Sequence, residues 1–197
     1  MQELKELAQK LKTAESLDSL RGYEGAAASL YFSAFGNLVT PFEFRGRVYH
    51  PPDGPVNVML SLGYTMLYNR LASVLRVKGF NPRIGFLHKG RGAHASLASD
   101  LLEELRHIVE RIVLSLIHLG EIRREDFSIT QRKGVNICRL QGEGFRKYFH
   151  RFESTMAQGS SYHGGEKISY NACLDEMADK LKRSLKLNIP YRALRID

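Results

Sequence analysis

The sequence predicts a mainly α-helical fold, a multi-helix lobe forming a single domain over residues 1–197, and three observations predict it. Apolar residues recur at intervals of three and four through most of the chain. One stretch alone, residues 124–140, combines β-branched residues with a glycine turn. Apolar residues make up 43% of the chain, which is enough to build one core.

The first two helices are predicted by leucine spacing. Leu4, Leu7 and Leu11 mark the first, and apolar spacing from Leu17 onward marks the second. The second contains RGYEGAAASLYF, in which Glu24 stands among glycines and alanines typical of the close-packed face of a buried helix. A buried carboxylate is costly unless a cation or hydrogen-bond donors meet it, so Glu24 needs a partner. The alternative is an ordinary helix start with Glu24 in solvent.

A third helix, NVMLSLGYTMLYNRLASVLRV at residues 57–77, is apolar on most sides. A Pro- and Gly-containing loop at residues 51–55 precedes it, and Gly79 and Pro82 follow it. An all-round apolar helix is surrounded by other elements in a folded domain. We therefore expect this helix to be the central and most buried one.

The remaining elements follow from the same signals. A fourth helix is predicted from about Ser96 to His118, with Ser96 or Ser99 as the N-cap. Residues 124–140 predict a small hairpin or an irregular crossing. Helices at about 140–156 and 167–187 form a possible C-terminal extension, separated by AQGSSYHGGEK, a candidate flexible linker.

Charge is distributed unevenly along this basic chain, whose formal net charge is +8. Residues 54–99 contain no Asp or Glu, and a second basic block lies near the C-terminus. Such clustering is typical of a protein that binds a polyanion, because phosphate contacts release counterions; the alternative is a basic solvated surface. The predicted DNA-phosphate contacts are Arg70, Arg76, Arg83, Lys89, Arg91, Lys182, Arg183 and Lys186.

Several classes of protein are disfavoured by the sequence. No run of about 18 uncharged apolar residues occurs, so no membrane span is expected. The N-terminal segment is too charged for a secretory signal. Cys138 and Cys173 form no CxxC pair, which gives no zinc site, predicts two buried thiols and suits a reducing cytoplasm.

One constellation carries potential chemistry. His88 precedes the fourth helix, which bears Asp100 and Glu103 three positions apart on one helical face. A Glu from another helix, a His from a loop and this acid pair would make a mixed oxygen and nitrogen site for Mn²⁺ or Mg²⁺. The cation that meets Glu24 would then be a metal ion. Since exposed helix carboxylates are common, a solvated acidic face is the alternative.

The order of these motifs resembles a known family. GYEGAAASLYFSAF, the N-x3-L-x2-G-Y-T-x-L helix, GFLH and S-L-x2-D-L-x-E-E-x-R closely resemble the CRISPR-associated spacer-acquisition integrases over about residues 21–117. The resemblance implies the helical catalytic lobe of that family. It also implies that Glu24, His88 and Glu103 hold the divalent metal, with Asp100 as an auxiliary or supporting acid.

The resemblance implies an activity as well. A DNA 3′-hydroxyl attacks a phosphodiester in a CRISPR array, so that spacers are inserted, with nicking and disintegration as side activities. Mn²⁺ or Mg²⁺ is the implied cofactor. The implied partners are double-stranded and branched DNA, further copies of the chain and a small bridging protein. Family members usually begin with a β-rich dimerisation domain, whereas this sequence opens almost directly with the helical lobe, which leaves the dimer and the bridging protein in question.

Two other functions remain open. Arg83-x4-His88 is a spacing found in metal-independent helical ribonucleases, with His88 as the general base and Arg83 on the phosphate. A non-catalytic basic DNA-binding bundle would also carry these charges. Among other residues, Arg106 is expected to pair with Glu103 or Asp100 or to orient them, and Tyr31, Tyr64 and Tyr68 are expected to pack rather than stack on bases.

Overall fold

A computed structural model describes residues 2–48, 51–88, 90, 92–132, 134–161 and 167–194. Within these ranges the chain is mainly α-helical, as predicted. The helices are α1 (Gln2–Leu11), α2 (Leu17–Gly36), α3 (Gly54–Val77), α4 (Ser96–Leu102), α5 (Arg106–His118), α6 (Gly142–Ala157) and α7 (Tyr170–Leu187). The strands are β1 (Phe127–Arg132), β2 (Val135–Leu140), β3 (Gly159–Ser161) and β4 (Lys167–Ser169).

Helix α3 is the centre of the core, as its all-round apolar sequence predicts. Most of its circumference is covered, with an exposed stripe formed by Thr65, Asn69, Ser73 and Arg76, and it packs against α4, α5, α7 and β2. The side chains of Met59, Leu60, Leu67 and Leu71 are fully buried. Burial of each such side chain contributes about 1.5–3 kcal/mol. Helix α3 is therefore central, as predicted, and among the described helices it contributes the most buried residues, although a larger fraction of the shorter α5 is buried.

A close helix contact depends on Gly63 of α3. A Cβ atom added there would overlap the Tyr148 hydroxyl of α6 and the Val109 side chain of α5. Tyr148 is fully buried, and its hydroxyl donates a hydrogen bond to the Met59 carbonyl at 2.8 Å. The absence of a side chain at position 63 thus lets α5 and α6 approach α3.

The predicted fourth helix is divided in two. A turn of 3₁₀-helix at Glu103–Leu105 separates α4 from α5, so Glu103 lies at a break rather than in the middle of a long helix. The predicted caps are also wrong, because the N-cap of α4 is Ala95, without a side-chain hydrogen bond. Ser96 donates instead to the Arg83 carbonyl, which ties α4 to the preceding loop.

Helix α2 differs from its predicted burial. Only Phe32 and Phe35 are buried in it, both in its C-terminal half. Gly22 and Gly25 are exposed, and a Cβ atom added at either would meet nothing within 4 Å. The Gly- and Ala-rich segment is therefore not a close-packed face. Glu24 is half-buried beside a cavity and not in the core.

The chain after α5 is held by two antiparallel strand pairs. β1 and β2 pair with Phe127 opposite Leu140, which confirms a hairpin within residues 124–140. β3 and β4 pair with Gly159 opposite Ser169, so the described ends of the predicted linker are strands rather than coil. Residues 162–166 of that linker lie outside the described residues. Helices α6 and α7 begin two and three residues later than predicted.

The last described segment folds back onto the break between α4 and α5. The Tyr191 hydroxyl and the Leu194 backbone N–H donate hydrogen bonds to Glu104, each at 2.8 Å. Leu194 is buried. Burial raises the pKa of Glu104, and these two donors oppose that rise. The C-terminal segment therefore fixes the residue next to Glu103.

The two cysteines and the helix lengths agree with the sequence expectations. Cys138 and Cys173 are both buried free thiols, as predicted. Burial raises the pKa of each thiol, which keeps it protonated. Among the helices that the structure describes, none combines the length and the apolar character that crossing a bilayer requires.

Candidate active site

One cavity of about 740 Å³ brings the three predicted ligands together. Glu24 enters its lining from α2, His88 from the loop before α4, and Glu103 from the break after α4. These residues come from three separate segments of the chain. A second cavity, of about 490 Å³, lies beside Phe42 and Phe127 and contains none of the three.

Helix α2 is joined directly to the loop that carries His88. Arg21 lies one turn before Glu24 and donates a hydrogen bond at 2.5 Å to the backbone carbonyl of Leu87. Arg21 also pairs with Asp18, at 2.8 Å. A guanidinium has several donors in a fixed geometry, so it can make both contacts at once. The hydrogen bond from Arg21 therefore fixes the part of α2 that carries Glu24 against the loop that carries His88.

Asp100 holds the loop of His88 from behind. Its carboxylate accepts backbone N–H bonds from Phe86 at 2.5 Å, Leu87 at 3.2 Å and His88 at 2.8 Å. The ring atom Nδ1 of His88 lies 2.7 Å from the same carboxylate. Asp100 itself does not line the cavity. It acts by fixing the orientation of the His88 ring, so that Nε2 remains for a ligand.

Two opposing effects act on the ionisation of Asp100. Burial raises its pKa, while the N–H donors of Phe86, His88 and Leu87 and the His88 ring lower it. The donors prevail, and the pKa of Asp100 lies below its ordinary value of 3.8. Asp100 is therefore a carboxylate at neutral pH. It accepts a hydrogen bond from the Nδ1–H group of His88.

Gly85 allows the loop to wrap around Asp100. A Cβ atom added at this position would lie 2.7 Å from a carboxylate oxygen of Asp100 and 2.8 Å from the backbone of Ser96. Real Cβ atoms do not approach backbone so closely. The glycine of the GFLH motif is thus needed for the close contact between the His88 loop and α4.

Glu103 is held by Arg106 in the cavity wall. One guanidinium nitrogen of Arg106 lies 3.0 Å from each carboxylate oxygen of Glu103. The same guanidinium lies over the ring of Tyr64, 4.9 Å from its centroid, and 5.9 Å from that of Phe32. Of the partners predicted for Arg106, the structure selects Glu103 rather than Asp100.

A buried carboxylate that the sequence reading missed lies behind Arg106. Glu110 is 5% exposed and accepts hydrogen bonds from the hydroxyls of Tyr64 at 2.7 Å and Tyr31 at 2.5 Å. Burial is the largest cause that raises the pKa of both tyrosines, and Glu110 adds to it. Tyr31 and Tyr64 therefore pack, as expected, and also satisfy an internal charge.

The cavity wall carries side chains of the types that bind divalent metals. Two carboxylates, those of Glu24 and Glu103, and the imidazoles of His88 and His94 line the cavity, and these donor types suit Mn²⁺ or Mg²⁺. Among the residues that the structure describes, no three His, Cys, Asp or Glu side chains have converged closely enough to surround an ion. Arg106 occupies both oxygens of Glu103 in this arrangement. The donor types fit a metal, and Glu103 would have to share or leave Arg106.

The predicted DNA contacts fall into different surroundings. Arg76, Arg83, Arg183 and Lys186 are exposed, and Lys182 donates to the Lys78 carbonyl at 3.0 Å. The Arg70 guanidinium joins three helices instead, because it donates to Glu153 of α6 and Asn171 of α7. The predicted contacts that lie outside the described residues are Lys89 and Arg91.

The alternative pair, Arg83 and His88, does not share the cavity. Arg83 is exposed and is absent from the cavity lining, although it precedes His88 by five positions. Its backbone carbonyl accepts the Ser96 hydroxyl, and its N–H binds the side chain of Asn81. This arrangement gives no support to the metal-independent ribonuclease hypothesis.

The family of the chain follows from comparison with known proteins. The model of the family "CRISPR associated protein Cas1" matches residues 1–154. A Thermus thermophilus protein named CRISPR-associated endonuclease Cas1 3 is 35% identical over 190 residues, which cover 95% of this chain and 56% of that protein. This chain belongs to the Cas1 family. It spans about half the length of the curated relative.

Two solved structures have the same fold as this Cas1 chain. A casposase bound to an integration product superimposes with a TM-score of 0.85 and 27% sequence identity, covering 98% of this chain and 56% of the casposase chain. A Cas6-RT-Cas1–Cas2 complex superimposes with a TM-score of 0.84 and 33% identity, covering 94% of this chain and 20% of the other. The helical lobe predicted from the sequence is therefore the fold of the Cas1 family.

Proposed function

We propose that this chain is the catalytic lobe of a CRISPR adaptation integrase, which joins short DNA segments to a CRISPR array. The observation that carries the proposal is that Glu24, His88 and Glu103 line one cavity although they lie far apart in sequence. Membership of the Cas1 family and the fold shared with a casposase bound to an integration product support it.

The proposed reaction exchanges one phosphodiester for another. A DNA 3′-hydroxyl attacks the phosphorus, a new P–O bond forms, and the bond to the leaving 3′-oxygen breaks, so no high-energy cofactor is consumed. Water in place of the hydroxyl would produce a nick. Attack within a branched product would reverse the joining. Integration, nicking and disintegration would therefore belong to one site.

Glu24, His88 and Glu103 would hold Mn²⁺ or Mg²⁺. A bound divalent cation supplies charge neutralisation at the phosphate and lowers the pKa of an attacking hydroxyl. Asp100 serves as a positioning residue, because a proton held between it and Nδ1 leaves the Nε2 lone pair of His88 for a ligand. Arg106 keeps the Glu103 carboxylate in the cavity wall.

The basic surface would bind the DNA backbone. Arg76, Arg83, Arg183 and Lys186 are exposed cations in a chain with a net charge of +8. Phosphate contacts fix the position of a duplex without reading its bases. The proposed partners are double-stranded and branched DNA, further copies of this chain and a Cas2-type protein, as in the solved Cas6-RT-Cas1–Cas2 complex. A cytoplasmic location, where such an array resides, is part of the same proposal.

A joining assay tests the proposal. The chain, alone and with a Cas2-type partner, is incubated with a labelled duplex and a supercoiled CRISPR plasmid in Mn²⁺ and in EDTA. We expect label to enter the plasmid in Mn²⁺ only, and Glu24→Ala, His88→Ala and Glu103→Ala to abolish the joining. Glu6→Ala, at an exposed position of α1, is the control and should join normally. Cleavage that persists in EDTA and prefers RNA would favour the ribonuclease hypothesis instead.

A further inference from the structure

Two stacked aromatic rings lie in the wall of the cavity that contains the candidate ligands. The rings of Tyr68 and His94 are nearly parallel, with an interplanar angle of 13° and centroids 5.3 Å apart. Both residues line the cavity that contains Glu24, His88 and Glu103. Tyr68 is half-buried on α3, whereas His94 is exposed in the loop before α4. The pair therefore joins the core to the open side of the cavity.

Both nitrogens of the His94 ring face protein partners. Nε2 lies 3.0 Å from the Ser99 hydroxyl, and Nδ1 lies 3.3 Å from the Tyr68 hydroxyl. The Tyr68 hydroxyl accepts the backbone N–H of Ala95 at 2.6 Å, which leaves its own proton for Nδ1. Because the ring edge is engaged in this way, His94 does not offer a lone pair to a metal ion.

The ring face is what His94 offers to a ligand. Tyr68 covers one face, and three hydrogen bonds hold the pair in place, so the orientation of the exposed face is set before a ligand arrives. A preorganised flat ring loses little conformational freedom when another ring stacks on it. Nucleobases stack on aromatic side chains with little regard to sequence, since each base has a π face.

We propose that His94, supported by Tyr68, is a stacking platform for a DNA base next to the phosphate at which joining occurs. The proposal rests on the proposed function, because it takes the cavity to hold a DNA strand. It adds a base contact to a surface whose other predicted contacts are with phosphates. A cavity of about 740 Å³ has room for a nucleotide beside its carboxylates.

Fluorescence of 2-aminopurine tests the platform without requiring catalysis. The base analogue is placed at successive positions beside the branch point of a DNA that mimics the joined product, and binding is measured in EDTA. We expect quenching at one position with the wild-type chain. Quenching should persist with His94→Phe, which keeps a flat ring, and disappear with His94→Ala and His94→Gln. DNA affinity should fall roughly tenfold in the last two variants.

The salt dependence of binding separates stacking from a charge effect. Loss of a stacked base removes no phosphate contact, so His94→Ala should weaken binding with the same slope against salt concentration. His118→Ala is the matched control, because that exposed histidine binds the Leu38 carbonyl and lies outside the cavity lining. Equal quenching by the wild-type chain and His94→Ala, or an equal loss in His94→Phe and His94→Ala, would overturn the platform.

The platform and the proposed function can fail separately. Joining in Mn²⁺ without quenching at any position would overturn the platform and leave the integrase proposal intact. Quenching that depends on a ring at position 94, in a chain that joins no DNA, would support the platform and count against the integrase. A chain that binds no branched DNA would contradict both.

Discussion

The carboxylate of Asp100 lies 2.7 Å from Nδ1 of His88 and also accepts the backbone N–H of the same residue. One acid thus fixes both the ring and the main chain of the candidate ligand. Two more N–H groups of the GFLH motif bind the same carboxylate. The backbone of the GFLH motif therefore folds around the carboxylate of Asp100.

Replacement of Asp100 by asparagine should slow DNA joining more than it weakens DNA binding. An amide keeps one acceptor oxygen but cannot accept every N–H bond and stabilise the His88 ring proton. Loss of a partner behind a metal-binding histidine typically costs about 10–100-fold in activity or metal affinity. The joining rate and the DNA affinity of Asp100→Asn are to be measured together. Asp53→Asn is the control, since that side chain makes no capping bond, and an unchanged rate in Asp100→Asn would refute the positioning role.

Alanine at position 85 should destabilise the fold, whereas alanine at position 22 should not. The added methyl group of Gly85→Ala meets Asp100 and the Ser96 backbone, and overpacking of this kind costs about 1–3 kcal/mol. Gly22→Ala meets nothing within 4 Å in a helix and should stabilise the fold by about 0.5–1 kcal/mol. Urea unfolding of both variants measures the contrast. Equal stabilities would show that the loop has room at Gly85.

Arg70 and Arg83 should differ in their effects on DNA binding. Arg83 is exposed, so we expect it to contact one phosphate. Arg83→Gln should therefore reduce the slope of log affinity against log salt concentration by about 1. Arg70 is engaged with Glu153 and Asn171. Arg70→Gln should therefore lower the free energy of unfolding by about 1 kcal/mol, since the pair is partly exposed, and leave the slope unchanged. The reverse pattern would contradict the assignment of Arg83 to the DNA-binding surface and of Arg70 to a structural role.

The free energy of unfolding of Tyr148→Phe should depend less on pH above 10 than that of the wild-type chain. Burial raises the pKa of Tyr148 above its ordinary value of 10.0. Because the pKa is raised in the folded state, the contribution of the Tyr148 hydroxyl to the free energy of unfolding is complete below pH 10. It is lost as the pH rises further. Tyr148→Phe should be less stable near neutrality by about 1 kcal/mol, because the Met59 carbonyl loses a donor, and should lose less above pH 10. Parallel pH profiles would contradict this.

Local patterns were sufficient for much of the fold. The apolar periodicity of α3 and the glycine turn of the β1–β2 hairpin depend on neighbours in sequence, and both elements were predicted. The break at Glu103–Leu105 was missed because the apolar spacing continues through it. What holds the break is the C-terminal segment, whose Tyr191 and Leu194 bind Glu104 across about ninety positions of the chain. No local pattern reports such a contact.

The candidate site was predicted in part. Its proposed ligands belong to a recognisable order of motifs, whereas their supporting contacts form only in the fold. Glu24, His88 and Glu103 were chosen from the motif order of a family, and they line one cavity. Periodicity placed Asp100 beside Glu103, whereas in the fold it lies behind His88. The pair of Tyr68 and His94 joins residues 26 positions apart and has no sequence signature. Side-chain pairs formed only by folding were the parts that the sequence left open.

The central claim is that three side chains from separate segments take up one divalent cation. Titration of the metal-free chain with Mn²⁺, followed by the electron paramagnetic resonance of the free ion, tests it without any DNA. We predict one site in the wild-type chain and an affinity lower by about tenfold or more in each of Glu24→Ala, His88→Ala and Glu103→Ala. Wild-type affinity in any one of these variants would contradict the claim.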